Sequence, residues 1–339
     1  MPAERPVTRV LSGIQPTGNL HLGNLLGAIL RWVRMQDEAP CLFFLADLHS
    51  LSDFIPAETR RAQVRAMAAA LIASGIDPAR STLFAQSDVP AHAELCWILN
   101  GTARMGWLSR MTQWKDKSGK NKEGASVALF DYPVLQAADI LLYRPSHVPV
   151  GEDQKQHIEL TRDIAIKFNQ DTGTETFAIP EPFVGGGVSA RVMSLRDGSA
   201  KMSKSDPSDM SRINLVDSDD EIAAKIRKAR TDPDPLPGDP ELLAGRPEAR
   251  NLVGILAAVT GESETAILAR FEGQGFGAFK PALAEALMTL IAPIRARYTE
   301  LERDTATLDR LLDKGAEDAA ALAAPTLLAA KRALGLSRH

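Results

Sequence analysis

Gly13-Ile14-Gln15-Pro16-Thr17-Gly18-Asn19-Leu20-His21-Leu22-Gly23-Asn24 joins a short apolar strand over 7–11 to a helical pattern over 22–35. In that pattern Leu22, Leu25, Leu26, Ile29, Leu30 and Val33 fall on or near one stripe. Gly13, Pro16 and Gly18 make the join a turn-rich loop. Small residues let backbone N–H groups approach a phosphate, and the following helix turns its positive end toward the same point. His21 and Asn24 add donors one turn apart, and Gly23 leaves room for a flat base. The segment is neither G-x-G-x-x-G nor a Walker loop. The same letters also suit an ordinary Gly/Pro loop with His21 as a helix cap.

Outward from this loop, strand and helix alternate. Residues 41–46 form a continuous apolar run of the kind buried in parallel sheets. A helix is predicted over 58–74, ending at Gly75, and a third strand over 82–86. Helices follow over 91–110. The polar stretch 112–125, with Lys115, Lys117, Lys120 and Lys122, reads as a flexible loop. A helix over 133–142 carries Pro133 in its first turn. A strand over 148–150 and a helix over 152–168 complete an α/β pattern with a parallel sheet. From 217 onward only helical patterns occur, near 217–229, 248–259, 263–272, 277–297, 298–313 and 315–334. A Pro/Gly cluster over 232–247 reads as a linker or long loop, and no internal repeat is visible.

The chain has 339 residues, 45% hydrophobic and 24% charged, which suits a globular protein with ample core. A net charge of −4 gives no uniformly basic surface, so a nucleic-acid partner has to meet a local patch. Cys41 and Cys96 are the only cysteines and sit in apolar surroundings, which leaves no disulfide framework and no cysteine metal cluster. No apolar leader opens the chain, and no stretch reads as long and apolar enough to span a bilayer. The expected compartment is the cytoplasm.

A second stretch stands out, Lys201-Met202-Ser203-Lys204-Ser205. Polar, Gly-bearing sequence flanks it and no apolar periodicity places it in a core, so it reads as a mobile surface loop. Its two ammonium groups suit a polyphosphate as movable point charges. A solvated basic loop fits the same letters.

His21-Leu22-Gly23-Asn24 resembles the "HIGH" signature of class I aminoacyl-tRNA synthetases, and Lys201 to Ser205 matches their "KMSKS" loop letter for letter. Ser12-Gly13-Ile14-Gln15-Pro16-Thr17-Gly18, Ala137-Ala138-Asp139-Ile140-Leu141 and the run Val148 to His157 narrow the resemblance to the bacterial-type tryptophanyl-tRNA synthetases, over nearly the whole chain. That resemblance implies a Rossmann-like catalytic domain over 1–195, with helices from about 300 to 339 packing back on it. It also implies a smaller all-helical anticodon domain over 196–299, which includes the lysine loop, and a homodimer. It implies ATP contacts from Gln15, Pro16, Thr17, Gly23 and Asn24, and from Gly151, Glu152 and Asp153 at the ribose. Val192 would reach adenine through its backbone. Lys201 and Lys204, within the loop Lys201, Met202, Ser203, Lys204 and Ser205, would hold the pyrophosphate part of ATP. His21 and Lys117 join them as phosphate-directed residues. Mg²⁺ would arrive with ATP, and no dedicated carboxylate cage for a metal is visible.

Tyr132, Gln136, Asp139 and Tyr143 are spaced four, three and four, so they share one helix face. A carboxylate on so apolar a helix is costly without a partner, although a lone Asp is more often a surface residue. In the resembled family the matching Asp accepts the indole N–H of tryptophan, the ring's only polar group and donor only. Tyr132 and Gln154 would meet the ammonium and carboxylate ends, and His49 and Gln136 would line the pocket. Gln136 stands where a Met is expected and Leu11 where some members carry an aromatic, so the shape of the indole slot differs here.

The implied reaction joins L-tryptophan to ATP as tryptophanyl-adenylate and then to the terminal ribose of tRNA(Trp). The tRNA would meet Lys225, Arg227, Lys228, Arg230, Lys331, Arg332 and Arg338. A tyrosyl-tRNA synthetase shares most of this pattern. A small-molecule adenylyltransferase would share the cradle without needing the helical third. A non-catalytic paralogue binding tRNA or protein should have lost signature residues, and this chain keeps Lys201, Lys204, Gly23 and Asp139.

Overall fold

The computed structural model describes residues 9–18, 20–119, 123–145, 148–149, 154–180, 182–183 and 191–338. Three parallel strands form the main sheet in the order β1 (Val10–Ile14), β2 (Cys41–Leu45), β3 (Ser81–Ala85). The central β2 is buried at every position, because helices cover both faces. In register, Gly13 lies beside Phe44 and Phe44 beside Phe84. A second parallel pair joins β4 (Val148–Pro149) to β5 (Pro182–Phe183), and β4 lies next to β1. Winding therefore reverses between β1 and β4. Ligands of open α/β sheets bind in the crevice at such a switch point.

The predicted first strand is shifted: pairing with β2 draws Ser12 to Ile14, read as loop, into the ladder. The helix after the cradle is not uniform. It runs as α1 (Leu22–Asn24), a π-helical turn (Leu25–Ile29) and α2 (Leu30–Met35). Then come α3 (Ala57–Ala73), α4 (Ala91–Asn100) and α5 (Met105–Leu108). Part of the stretch read as a flexible loop is helical, α6 (Thr112–Ser118), held by Trp114 packing edge-on to Phe130 with ring centres 4.8 Å apart. α7 (Val127–Tyr143) starts six residues earlier than predicted. Ser126 caps it by accepting the Leu129 N–H, and Pro133 lies inside the helix. α8 (Lys155–Thr172) closes the α/β part.

The remaining helices are α9 (Asp219–Lys228), α10 (Pro247–Thr260), α11 (Glu264–Phe271), α12 (Phe276–Arg303) and α13 (Thr305–Ala333). Three predicted C-terminal segments merge into the last two. The break falls at Asp304, whose side chain accepts the Thr307 N–H at 3.0 Å and so starts α13. Contrary to the sequence expectation, α12 is long and apolar enough to cross a membrane by length and composition. Its apolar residues Phe279, Leu283, Leu287 and Ile291 are instead buried against other helices, including α3, α9 and α10.

Three apolar cores form among the described residues. One face of the sheet (Leu11, Leu42, Phe44, Phe84) packs against α4, α7, α8 and α13. The other (Val10, Cys41, Phe43, Leu45) packs mainly against α2 and α3. The third lies among α9 to α12 and takes in Leu22 and Leu26 from the cradle helix and Met202 from the lysine loop. Cys41 and Cys96 are free and buried.

The return of α13 to the sheet depends on Gly315. A Cβ there would lie 1.8 Å from the Leu83 carbonyl oxygen of β3. Ala316, Ala319 and Ala323 continue the close contact. Gly315→Ala is expected to cost about 3 kcal/mol through overpacking, read as a lower urea midpoint at pH 7.5. An unchanged midpoint would show that the helix does not approach the strand this closely.

Candidate active site

The cradle is built by helix capping. His21 is the N-cap of α1: its Nδ1 accepts the Gly23 N–H at 3.1 Å, and Asn24 Oδ1 accepts the His21 N–H at 3.1 Å. This bond fixes the tautomer, leaving the proton on Nε2 as a donor. Burial, and then Lys204, Arg212 and Lys201, lower the His21 pKa to about 4. The ring is therefore neutral at pH 7. The next turn is π-helical, a form that recurs at functional sites, and its Gly27 and Ala28 line a cavity between cradle and sheet. On the opposite lip Gln15, buried Pro16 and Thr17 form a tight turn, with Thr17 N–H donating to the Gln15 carbonyl at 2.8 Å.

The lysine loop folds onto this cradle. Lys204 Nζ donates to the Thr17 carbonyl, and burial lowers its pKa. Lys201 and Ser205 are exposed, and the Ser203 and Ser205 hydroxyls share a 2.8 Å bond. The loop is more anchored than its sequence suggests. Met202 is 1% exposed in the helical core, and its N–H donates to the carbonyl of buried Val192 at 3.1 Å. Asn251 of α10 clamps Met193 by accepting its N–H and donating to its carbonyl. One apolar side chain supplies the anchor, which periodicity cannot register. The chain leaving the loop pairs with the cradle, Leu22 N–H to the Ile213 carbonyl and Leu215 N–H to the Leu20 carbonyl. Beneath it Lys225 is buried, 2.6 Å from both Asp209 and Asp217. Lys225 therefore holds this junction and cannot face an RNA. Lys331 is likewise engaged, with Glu94 at 2.7 Å.

Between cradle and sheet lies a cavity of about 500 Å³, at the crevice beside β1 and β4. Asp139 of α7 stands in its wall, 1% exposed. Its Oδ1 accepts from Gln86 Nε2 and His92 Nδ1, each at 2.6 Å, and its Oδ2 from His49 Nε2 at 2.8 Å. His92 Nε2 in turn accepts the Tyr143 hydroxyl at 2.7 Å. Burial opposes ionisation of Asp139, but the bonds from His49 and His92 outweigh it and hold the carboxyl below its ordinary range. A carboxylate has about four acceptor positions. Three meet protein donors, and Asp139 and His49 both line the cavity.

Tyr132, Gln136 and Gln154 line the same cavity. The Tyr132 hydroxyl donates to Gln113 Oε1 at 2.7 Å, and the hydroxyl oxygen lies 2.5 Å from His157 Nε2. Gln136 Nε2 donates to Gln154 Oε1 at 3.4 Å. Lys117 lies on α6, but its side chain is outside the described residues, as are Gly151, Glu152 and Asp153. Sequence reading missed Gln86, His92 and Gln113. A polar Gln86 closing an apolar strand, and a His92 on the Leu95/Cys96/Leu99 face of α4, were the available signals. Among the described residues no group of three or more His, Cys, Asp or Glu side chains could hold a metal ion.

A sheet that reverses its winding beside a helix-capped loop, with a two-lysine loop folded over it, fits the nucleotide-activating enzymes of the class I synthetase type. Comparison with known proteins agrees. The sequence pattern of the family described as "tRNA synthetases class I (W and Y)" matches residues 3–292. The chain is 57% identical over 341 residues to the tryptophan–tRNA ligase of Caulobacter vibrioides, covering 99% of each. It matches the crystal structure of tryptophanyl-tRNA synthetase from Mycoplasma pneumoniae at 32% identity and TM-score 0.86, covering 98% of each chain. It matches the Campylobacter jejuni enzyme, complexed with ADP and tryptophan, at 37% identity and TM-score 0.82, covering 97% of this chain and 100% of that one. The chain belongs to the class I tRNA synthetases, in the family that serves tryptophan and tyrosine.

The capped, neutral His21 has a consequence for acid stability. Its folded pKa lies below the unfolded value of 6.5, so the unfolded chain takes up the proton first as pH falls. Stability present above pH 6.5 is lost between 6.5 and 4, by about 3 kcal/mol for this group. Urea titrations at pH 7.5 and 4.5 should show a smaller loss in His21→Asn than in the parent chain. Equal losses would place the imidazole proton elsewhere.

Proposed function

We propose that the chain activates L-tryptophan with ATP and transfers it to tRNA(Trp). The observation that carries this is the buried carboxylate of Asp139 in the cavity wall, an acceptor that suits a ligand group that only donates. The names of the relatives support tryptophan over tyrosine. The indole N–H donates to that carboxylate, and Tyr132 and Gln154 meet the ammonium and carboxylate ends. A ligand without the N–H leaves a buried charge one bond short, and so is rejected without an editing site.

ATP lies across the cradle. Gln15, Pro16 and Thr17 border it on one side, and Gly23 and Asn24 on the other. Gly151, Glu152 and Asp153 serve the ribose, and the Val192 backbone serves adenine. The tryptophan carboxylate attacks the α-phosphorus, a P–O bond forms, and pyrophosphate leaves. Lys201 and Lys204, with the neutral Nε2–H of His21 and with Lys117, stabilise the charge growing on pyrophosphate. Mg²⁺ comes bound to ATP and neutralises phosphate charge there. The terminal ribose hydroxyl of tRNA then takes the aminoacyl group and AMP leaves. Alignment and fixed charge supply the rate, and no side chain acts as a covalent nucleophile.

Residues 1–195 serve as the catalytic domain, completed by the C-terminal helix, and 196–299 as the loop and anticodon-side domain. The exposed Arg227, Lys228 and Arg230 at the end of α9 offer tRNA a basic edge. The protein acts in the cytoplasm as a homodimer, without a membrane partner. Trp97, Met105 and Val127 are 72–81% exposed and ring one apolar depression with Leu51, a face suited to a second copy.

Tryptophan should support pyrophosphate exchange, and Lys204→Ala should slow adenylate formation by about a hundredfold with tryptophan affinity within about twofold. A large loss of tryptophan binding would contradict the assigned role of Lys204. Trp97→Asp should convert the dimer to monomers in analytical ultracentrifugation, and a dimer of unchanged strength would place the interface elsewhere.

A further inference from the structure

The cavity wall opposite the helices is made by β1 and β2. β1 lines it with Leu11 to Ile14, and of these Leu11 and Gly13 share the strand face of Phe44, an aliphatic side chain and none. The register sets Phe44 of β2 directly beside Gly13. A Cβ at position 13 would lie 2.4 Å from Phe44 Cζ, 2.6 Å from Cε2 and 2.7 Å from Cε1. The outer edge of the ring thus lies across the bare backbone of β1, in space that any other residue at 13 would fill. Phe44 is 7% exposed, and it lines the cavity.

The ring is also held from behind. It stacks on Phe84 with centroids 5.9 Å apart and planes 29° apart, and it meets the His92 ring at 5.9 Å. His92 is the donor that fixes Asp139 Oδ1. One rigid assembly therefore carries both an aromatic surface and the carboxylate. A bicyclic aromatic ligand that donates to Asp139 has to lie along this assembly. Aromatic pairs add attraction beyond the area they bury.

We propose that Phe44, seated on Gly13, is the aromatic wall of the amino-acid subsite and a specificity-determining residue. This rests on tryptophan being the substrate. Gly13 is the partner that makes it possible. Its backbone carries no positive φ, so an L-residue is sterically barred there by the ring alone. Gly13→Ala should therefore drive the ring toward the cavity and weaken tryptophan binding. Shortening Phe44 should weaken binding by removing the wall, and should at the same time make the Gly13→Ala change harmless.

The experiment is a double-mutant cycle read by tryptophan binding and by KM and kcat for tryptophan- and ATP-dependent pyrophosphate exchange. Phe44→Leu and Gly13→Ala should each raise the tryptophan Kd about tenfold, with the ATP KM within about twofold. The pair Gly13→Ala/Phe44→Leu should bind no more weakly than Phe44→Leu alone. Phe44→Met, an unbranched apolar replacement that adapts to irregular space, provides the same readout if Phe44→Leu does not fold. Tryptophan affinity unchanged in Phe44→Leu or Phe44→Met, or losses that simply add in the double variant, would overturn the proposal and reduce Phe44 to core filling. Absence of tryptophan-dependent exchange in the parent chain would instead remove the substrate assignment on which it rests.

Discussion

A carboxylate out of contact with water keeps its charge only where hydrogen-bond donors hold it. Asp139 meets that condition with donors from three places in the fold. Gln86 closes β3, His92 sits in the first turn of α4, and His49 follows β2. None of these segments can shift without leaving the charge short of a bond. The geometry of the pocket is thus inherited from an electrostatic requirement of the protein itself. The ionised state follows from the same bonds, and so does the His92 tautomer, which lets the Tyr143 hydroxyl complete the chain behind it.

The cradle applies a similar economy to backbone groups. The first N–H groups of a helix lack partners within it. Here His21 and Asn24 satisfy two of them reciprocally, and the same bond that caps the helix orients the imidazole. Leu22 and Leu26, one turn apart on that helix, enter the helical core beside Met202. The cradle and the lysine loop are therefore tied to one apolar cluster while their polar atoms meet in the Lys204–Thr17 contact. The segments flanking the lysine loop are tied to α10 through Asn251 and to α9 through Lys225.

Periodicity and punctuation made the sheet legible. β2 is a pure apolar run, and Gly75 does end α3 with a positive φ of 110°. Features set by single contacts were not legible. Trp114 turns a lysine-rich stretch into a helix, Pro133 sits inside a helix that a serine starts earlier, and Met202 moors a loop of otherwise polar letters. Asp139, Tyr132, Gln136 and Gln154, which line one cavity, could be singled out because residues on one helix face, or one motif, carried them. Gln86 and His92 come from separate elements and reach Asp139 only through the tertiary fold. No spacing in the chain announces a partner 53 or 47 positions away.

The seat of α13 on β3 bears on how the chain comes to be folded. Leu83 and Gly315 touch across more than two-thirds of the sequence, and the first core includes Ala316, Ala319 and Ala323 from the last helix. A chain emerging from its amino end has its strands long before it has their cover. Until α13 arrives, part of an apolar sheet face stays open, next to the Phe84 that stacks on Phe44 of the cavity wall. Contacts this distant in sequence are slow to form because a long loop must close first. Truncated or stalled products should therefore be sticky and poorly assembled, and a chain that has lost its last helix loses a wall of the domain that begins with its first strand.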